Sequence, residues 1–154
     1  MGKALFYHLT RAPLEETARV ILARALAQGW RVCLRGRTPE QLAALDAALW
    51  LGDKAAFLPH GLAGGPHDAD QPILLTTAPG CPNGAQALMA VDQADITPED
   101  CAQAARVWVL FDGHDAAALE HARAQWRTLA AAGVAAEYWS EETGRWQKMR
   151  STEA

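Results

Sequence analysis

The sequence predicts an α/β protein: a mainly parallel sheet with helices on both faces, Rossmann-like, in a single domain that lacks a nucleotide-binding loop. Short apolar runs alternate along the chain with segments of helical periodicity, the pattern of strands joined by crossover helices. One run, Arg106 to Phe111 (RVWVLF), is almost wholly apolar, as a strand buried on both faces should be. The chain has 154 residues, half of them hydrophobic and 21% charged, which is the size and balance of one ordinary globular domain.

The elements follow in order. Ala4 to Leu9 (ALFYHL) reads as a first strand. Pro13 opens a helix with Glu15 and Glu16 in its first turn, and Gly29 ends it. Arg31 to Leu34 is a second strand. Thr38 and Gln41 have capping-box spacing, with Pro39 at the first helical position, and start a helix that runs to Trp50. A Gly-, Pro-, His- and Asp-rich loop fills 52–71, long enough to be functional or mobile. Pro72 to Thr77 and Ala87 to Val91 are further strands, and Thr97, Pro98 and Glu99 open a short helix. After Arg106 to Phe111, Asp112, Gly113 and His114 turn the chain into a long helix from about Asp115 to Ala132. Ala135 to Ser140 is the last strand expected. The domain is thus expected to span 1–145, with a short polar, basic tail over 146–154.

Composition excludes several classes. A net charge of -4 argues against general affinity for duplex DNA, and no sequence-specific nucleic-acid contact is expected. Cys33, Cys81 and Cys101 are odd in number and form no CxxC pair, so three reduced thiols are expected rather than a disulfide framework or a zinc knuckle. No apolar run reaches the length of a membrane span, which places the protein in the cytoplasm, away from membranes.

Enzyme chemistry is absent where it can be sought. The first strand-to-helix turn, Thr10-Arg11-Ala12-Pro13, has no glycine, and neither GxGxxG nor GxxxxGK[ST] occurs. His60 and His67 share a loop with Asp68 and Asp70, but without recognised ligand spacing they read as solvated loop residues. Asp112 follows a buried strand with no nucleophile or base to join it, and a turn or capping role fits it better. No catalytic residues, cofactor or metal are expected.

Aromatic residues are more informative. Of six tryptophans, Trp30 and Trp108 fit a core, whereas Trp50, Trp126, Trp139 and Trp146 lie near element ends or beside charges, where aromatics anchor partners. On the long helix Leu119, Ala122, Trp126 and Leu129 make a core stripe, with Trp126 at its border and Arg123 and Arg127 one turn apart beside it. Two guanidiniums around an indole suit an acidic, aromatic peptide. Trp50, closing a helix, is followed by a proline-fixed apolar segment with Phe57, Pro59 and His60, and large apolar groups on a loop suggest a second partner surface.

Taken in order, FYHL, LDAALW at 45–50, FLPHGLAGG at 57–65, QPILLT at 71–76, the LFDG turn, the ARAQW helix and AGVAAEYW followed by Trp146 together resemble the chi subunit family of bacterial DNA polymerase III over essentially the whole chain. The resemblance implies a nucleotide-binding-like fold without nucleotide chemistry. It implies a non-catalytic subunit that joins the clamp loader through the psi subunit and holds the acidic C-terminal tail of single-stranded DNA-binding protein. It assigns the tail pocket to Arg123, Trp126 and Arg127, with Phe111 as an apolar wall, and supports Trp50, Phe57, Pro59 and His60 as the surface for psi or for a repair helicase. Leu119 and Ala130 stand where some members carry basic residues, and Arg145, Lys148 or Arg150 could supply replacement charge. The competing reading is a small α/β enzyme or nucleotide-binding module stripped of its motifs; the glycine-free turn and the chain-long pattern favour the adaptor.

Overall fold

A computed structural model describes residues 2–51, 58–78, 80–142 and 145–152. The chain runs β1 (Lys3–Leu9), α1 (Leu14–Ala27), β2 (Val32–Arg35), α2 (Pro39–Trp50), β3 (Gly61–Leu62), a 3-10 turn at Asp68–Asp70, β4 (Ile73–Thr76), β5 (Ala87–Ala90), α3 (Pro98–Gln103), β6 (Arg106–Asp112), α4 (Ala116–Ala131), β7 (Ala136–Ser140) and β8 (Gln147–Ser151). The strands form one sheet in the order β3-β4-β2-β5-β6-β1-β7-β8. β7 and β8 pair antiparallel, and the other neighbours pair parallel. This is the α/β domain the sequence predicts.

Strand alternation divides the interior into two cores. Leu5, Leu9, Val32, Leu34, Ile73, Leu75, Met89, Trp108 and Leu110 face α1 and α2, with Ile21, Leu22, Leu42, Leu45 and Leu49 against them. Ala4, Phe6, Cys33, Leu88, Ala90, Val107, Val109 and Phe111 face α3 and α4, meeting Cys101, Ala118, Ala122 and Leu129. Residues i and i+2 share a face, so a strand with helices on both sides buries the side chains of both sets. That is why β2, β4 and β5 are buried along their whole length.

Helix ends follow local chemistry. Gly29 and Gly133 each take φ +81° just past α1 and α4, a left-handed turn that glycine adopts without strain. Thr38 accepts from the Gln41 N–H at 3.4 Å, but the Gln41 side-chain amide faces Asp92 instead of closing the expected box. The reciprocal box forms at α3: Asp100 N–H donates to Thr97 Oγ1 at 3.1 Å, and Thr97 N–H donates to Asp100 Oδ2 at 2.9 Å. Within the expected 52–71 loop, the Asp68 carboxylate accepts from the Gly64 and Gly65 amides, and β3 adds to the edge of the sheet beside β4. Nor is β7 the last strand. The polar segment Gln147–Ser151 turns back and pairs with β7 as an exposed edge.

Candidate functional site: an aromatic groove with a basic rim

Asp115 caps α4, accepting from the Ala117 and Ala118 amides. The helix buries Ala118, Ala122, Gln125 and Leu129. The core stripe is therefore rotated from the one read in the sequence: Gln125 lies inward, and Leu119 and Trp126 are half-buried at the border. Gln125 is satisfied there, accepting from Ile96 N–H at 3.2 Å and donating to the Ala94 carbonyl at 3.3 Å. A polar group inside a core needs such partners, and the 94–96 segment supplies them.

With Gln125 inward, Trp126 turns toward β7 and β8. Its ring meets Phe6 edge-on at 5.4 Å and Tyr138 at 6.2 Å. Ala122, Arg123, Trp126, Arg127, Ala130, Tyr138, Met149 and Arg150 line a groove of about 630 Å³. Arg123 and Arg127 are both well exposed, and both reach toward Glu120, at 4.0 and 3.7 Å. The guanidinium of Arg150 lies over the Trp126 ring. The groove thus has an aromatic and methyl-lined floor and three arginines around it, which suits an apolar or aromatic group attached to carboxylates.

Three of the four residues expected at this pocket, Arg123, Trp126 and Arg127, come together. Phe111 does not line the groove. It is buried on β6, stacked on His8 at 5.3 Å and 5.9 Å from Tyr138, and Tyr138 takes the wall position. The Tyr138 hydroxyl hydrogen-bonds His8 Nδ1 at 3.1 Å. Phe111 and His8 thus back the ring that faces the groove. Tyr138 and Met149 are residues that sequence reasoning missed. Of the three replacement charges considered, only Arg150 lines the groove; Lys148 lies 3.8 Å from Glu137. Ala130 lines it as well. Leu119 instead packs on the core.

The residues expected at a second surface lie at the other end of the sheet. α2 packs beside β3 and β4, the edge opposite β7 and β8. Trp50 is 51% exposed and Leu51 85%. The Trp50 ring stacks on His60 at 4.2 Å. His60 is buried, with Nδ1 2.6 Å from the Leu58 carbonyl and Nε2 3.2 Å from the Asp46 carbonyl. It serves as the platform under Trp50, and Pro59 is half-buried beside it. Phe57 lies outside the described residues.

The place where a nucleotide would bind is occupied by the chain itself. The amides of Thr10, Arg11 and Ala12 all donate to Glu141 Oε1, at 2.9, 2.7 and 2.9 Å. Burial raises the Glu141 pKa, but those three amides and the Arg11 charge outweigh it, so the carboxyl titrates below its ordinary range. The crevice at the strand ends, about 340 Å³, carries Asp92, Asp112 and Asp115, and three carboxylates repel a polyphosphate. Asp112 has the turn role expected, accepting from His114 N–H at 2.9 Å. Among the described residues no group of three or more His, Cys, Asp or Glu side chains is placed to hold a metal. No helix there is long and apolar enough to cross a membrane.

No curated protein matches the chain. A family model described as DNA polymerase III chi subunit, HolC, matches residues 1–137, taking in β1, α2, β6 and the arginines of α4 and stopping just before Tyr138. With nearly the whole domain matched in order, the chain belongs to the DNA polymerase III chi subunit family.

Proposed function

We propose that this chain is a non-catalytic adaptor of the polymerase III assembly in the cytoplasm, joining the clamp loader, through psi, to the acidic C-terminal tail of single-stranded DNA-binding protein. The observation that carries the reading is the groove between α4 and β8, with Trp126 and Tyr138 in its lining and Arg123, Arg127 and Arg150 around it. An acidic peptide with an aromatic end fits this chemistry. The ring would lie against Trp126 and Tyr138, the carboxylates would meet the arginines, and Phe111 would hold Tyr138 in place.

Psi, or a repair helicase in its stead, would take the surface around Trp50, Pro59 and His60, together with Phe57. The placement of Trp50 and Arg150 at opposite edges of one sheet supports a linking role, because two partners could bind without competing. The Glu141 carboxylate in the first turn and the acidic crevice support the absence of nucleotide chemistry. Titrating the chain with an acidic peptide ending in phenylalanine, and with the same peptide lacking that residue, tests the reading. Binding on the order of micromolar, about -8 kcal/mol, is expected for the first and none for the second. Equal binding of both would place the site elsewhere, and stoichiometric binding of ATP, GTP or NAD would overturn the adaptor reading.

A further inference from the structure

The three cysteines are free thiols, but the fold gives them different chemistry. Cys33 lies on β2, wholly buried in the core beneath α3 and α4. Cys81, in the connection between β4 and β5, is half-buried against the same core. That connection is clamped to β2. Asn83 Nδ2 donates to the Val32 carbonyl at 3.1 Å and to the Gln71 carbonyl at 3.0 Å, and Arg31 donates to the Asn83 carbonyl at 3.1 Å. The clamp brings Cys33 Sγ within 3.4 Å of the carbonyl of Gly80, the residue next to Cys81, and both side chains pack into the same core cluster. Two cysteines far apart in sequence therefore sit as a pair, one accessible and one not.

We propose that Cys33 and Cys81 are a dithiol modification site for low-molecular-weight disulfides such as glutathione disulfide, with Cys81 attacking first and Cys33 closing an intramolecular disulfide. The Cys81 thiolate attacks one sulfur of the reagent, the reagent's S–S bond breaks, and one glutathione leaves as thiolate. Cys33 then attacks the Cys81 sulfur, its proton passes to solvent, and the second glutathione leaves. The two cysteines lose two electrons, and glutathione disulfide gains them as two molecules of glutathione.

The surroundings assign the order. The neighbouring Cys33 side chain lowers the Cys81 pKa; burial works against it, and the nearby Arg35 charge adds to it, leaving Cys81 at about 7. The same pairing and burial push Cys33 upward. Cys101, buried on α3 beside Asp100, is pushed up to about 11. A thiolate is the nucleophile, so at neutral pH only Cys81 combines access with ionisation.

The test is incubation of the full chain with glutathione disulfide near neutral pH, followed by peptide mapping by mass spectrometry. A peptide pair linking Cys33 to Cys81, with Cys101 unmodified, is expected. Cys33→Ala should stop at a stable glutathione adduct on Cys81, and Cys81→Ser should leave the remaining thiols unmodified over the same time. Modification of Cys101 before Cys81, or a wild-type chain that accumulates the Cys81 adduct without closing, would overturn the proposal. Circular dichroism checks the fold of each variant, and the wild-type map decides the matter even if Cys33→Ala fails to fold.

Discussion

Arg150 reaches from β8 over the indole of Trp126, its guanidinium carbon 5.8 Å from the ring centroid. It lies over one side of that ring and adds the third positive charge of the groove. A cation over an exposed indole contributes about 0.5–1 kcal/mol, and the charge also faces an incoming carboxylate. Arg150→Ala should therefore weaken binding of the acidic peptide by roughly fivefold with no change in circular dichroism. Unchanged affinity in a peptide titration would remove β8 from the site.

Glu120 lies near both helix arginines, 4.0 Å from Arg123 and 3.7 Å from Arg127. It stands where a ligand carboxylate would have to compete. Exposed pairs of this kind are worth about 0.2–1 kcal/mol, so Glu120→Gln should tighten peptide binding by about twofold to fivefold. The gain should shrink as salt screens the charges. Weaker binding by this variant would mean that Glu120 positions the arginines productively instead of competing for them.

Glu141 holds three backbone amides of the first turn. Glu141→Gln keeps the shape and removes the charge, and charge-assisted hydrogen bonds are worth about 1.5–3 kcal/mol. A loss of stability of about 2 kcal/mol near neutral pH is expected. The native Glu141 carboxyl titrates below its ordinary range, so its contribution is complete above the unfolded value, about 4.3, and is lost as pH falls through the folded value. Denaturant midpoints of the two proteins should converge in acid. A gap that is the same at acid and neutral pH would show that the carboxylate charge is not the source.

Trp50 is half-exposed and rests on His60, which leaves half of its surface open for the partner proposed above. Trp50→Ala should reduce co-purification with psi or a helicase at least about tenfold, as loss of an aromatic anchor does. The circular dichroism should stay native. An unfolded variant would make the Trp50–His60 stack a structural element and withdraw it from the interface.

The succession of strands and helices along the chain was legible where periodicity carries it. Strands buried on both faces are apolar but for Arg35 and Thr76 at the ends of β2 and β4, and α1, α2 and α4 show helical spacing bounded by Pro, Thr, Asp and Gly. β8 was not legible, because QKMRS is a polar edge strand that pairs with β7 alone among the described residues. Gln125 was not, because its partners lie in the 94–96 segment and nothing in α4 itself calls for a buried amide. Phe111 was placed on the groove by its position before the long helix, but on a strand whose two faces are both buried it can only stand behind Tyr138. Glu141 sits next to the last predicted strand, and only the fold brings it to Thr10, Arg11 and Ala12. The arginines and indole of α4 could be read because one helix carries all three.

The groove separates two contributions that can be measured apart. Trp126 touches Phe6 and Tyr138 and forms part of the groove lining, whereas Arg123 is exposed on the rim. A desolvated aromatic contact controls how long a ligand stays, and rim charges control how fast it arrives. Arg123→Glu should therefore weaken the acidic peptide strongly, by about tenfold or more, mainly through a slower association rate and with a shallower salt dependence. Trp126→Leu keeps an apolar filler against Phe6 but removes the ring. It should raise the dissociation rate and leave the salt dependence as in the wild type. Stopped-flow or surface-plasmon measurements across a salt series distinguish the two. If Arg123→Glu changes only the dissociation rate, the arginine makes a desolvated contact with the ligand. If it changes neither rate, the acidic peptide does not use this rim.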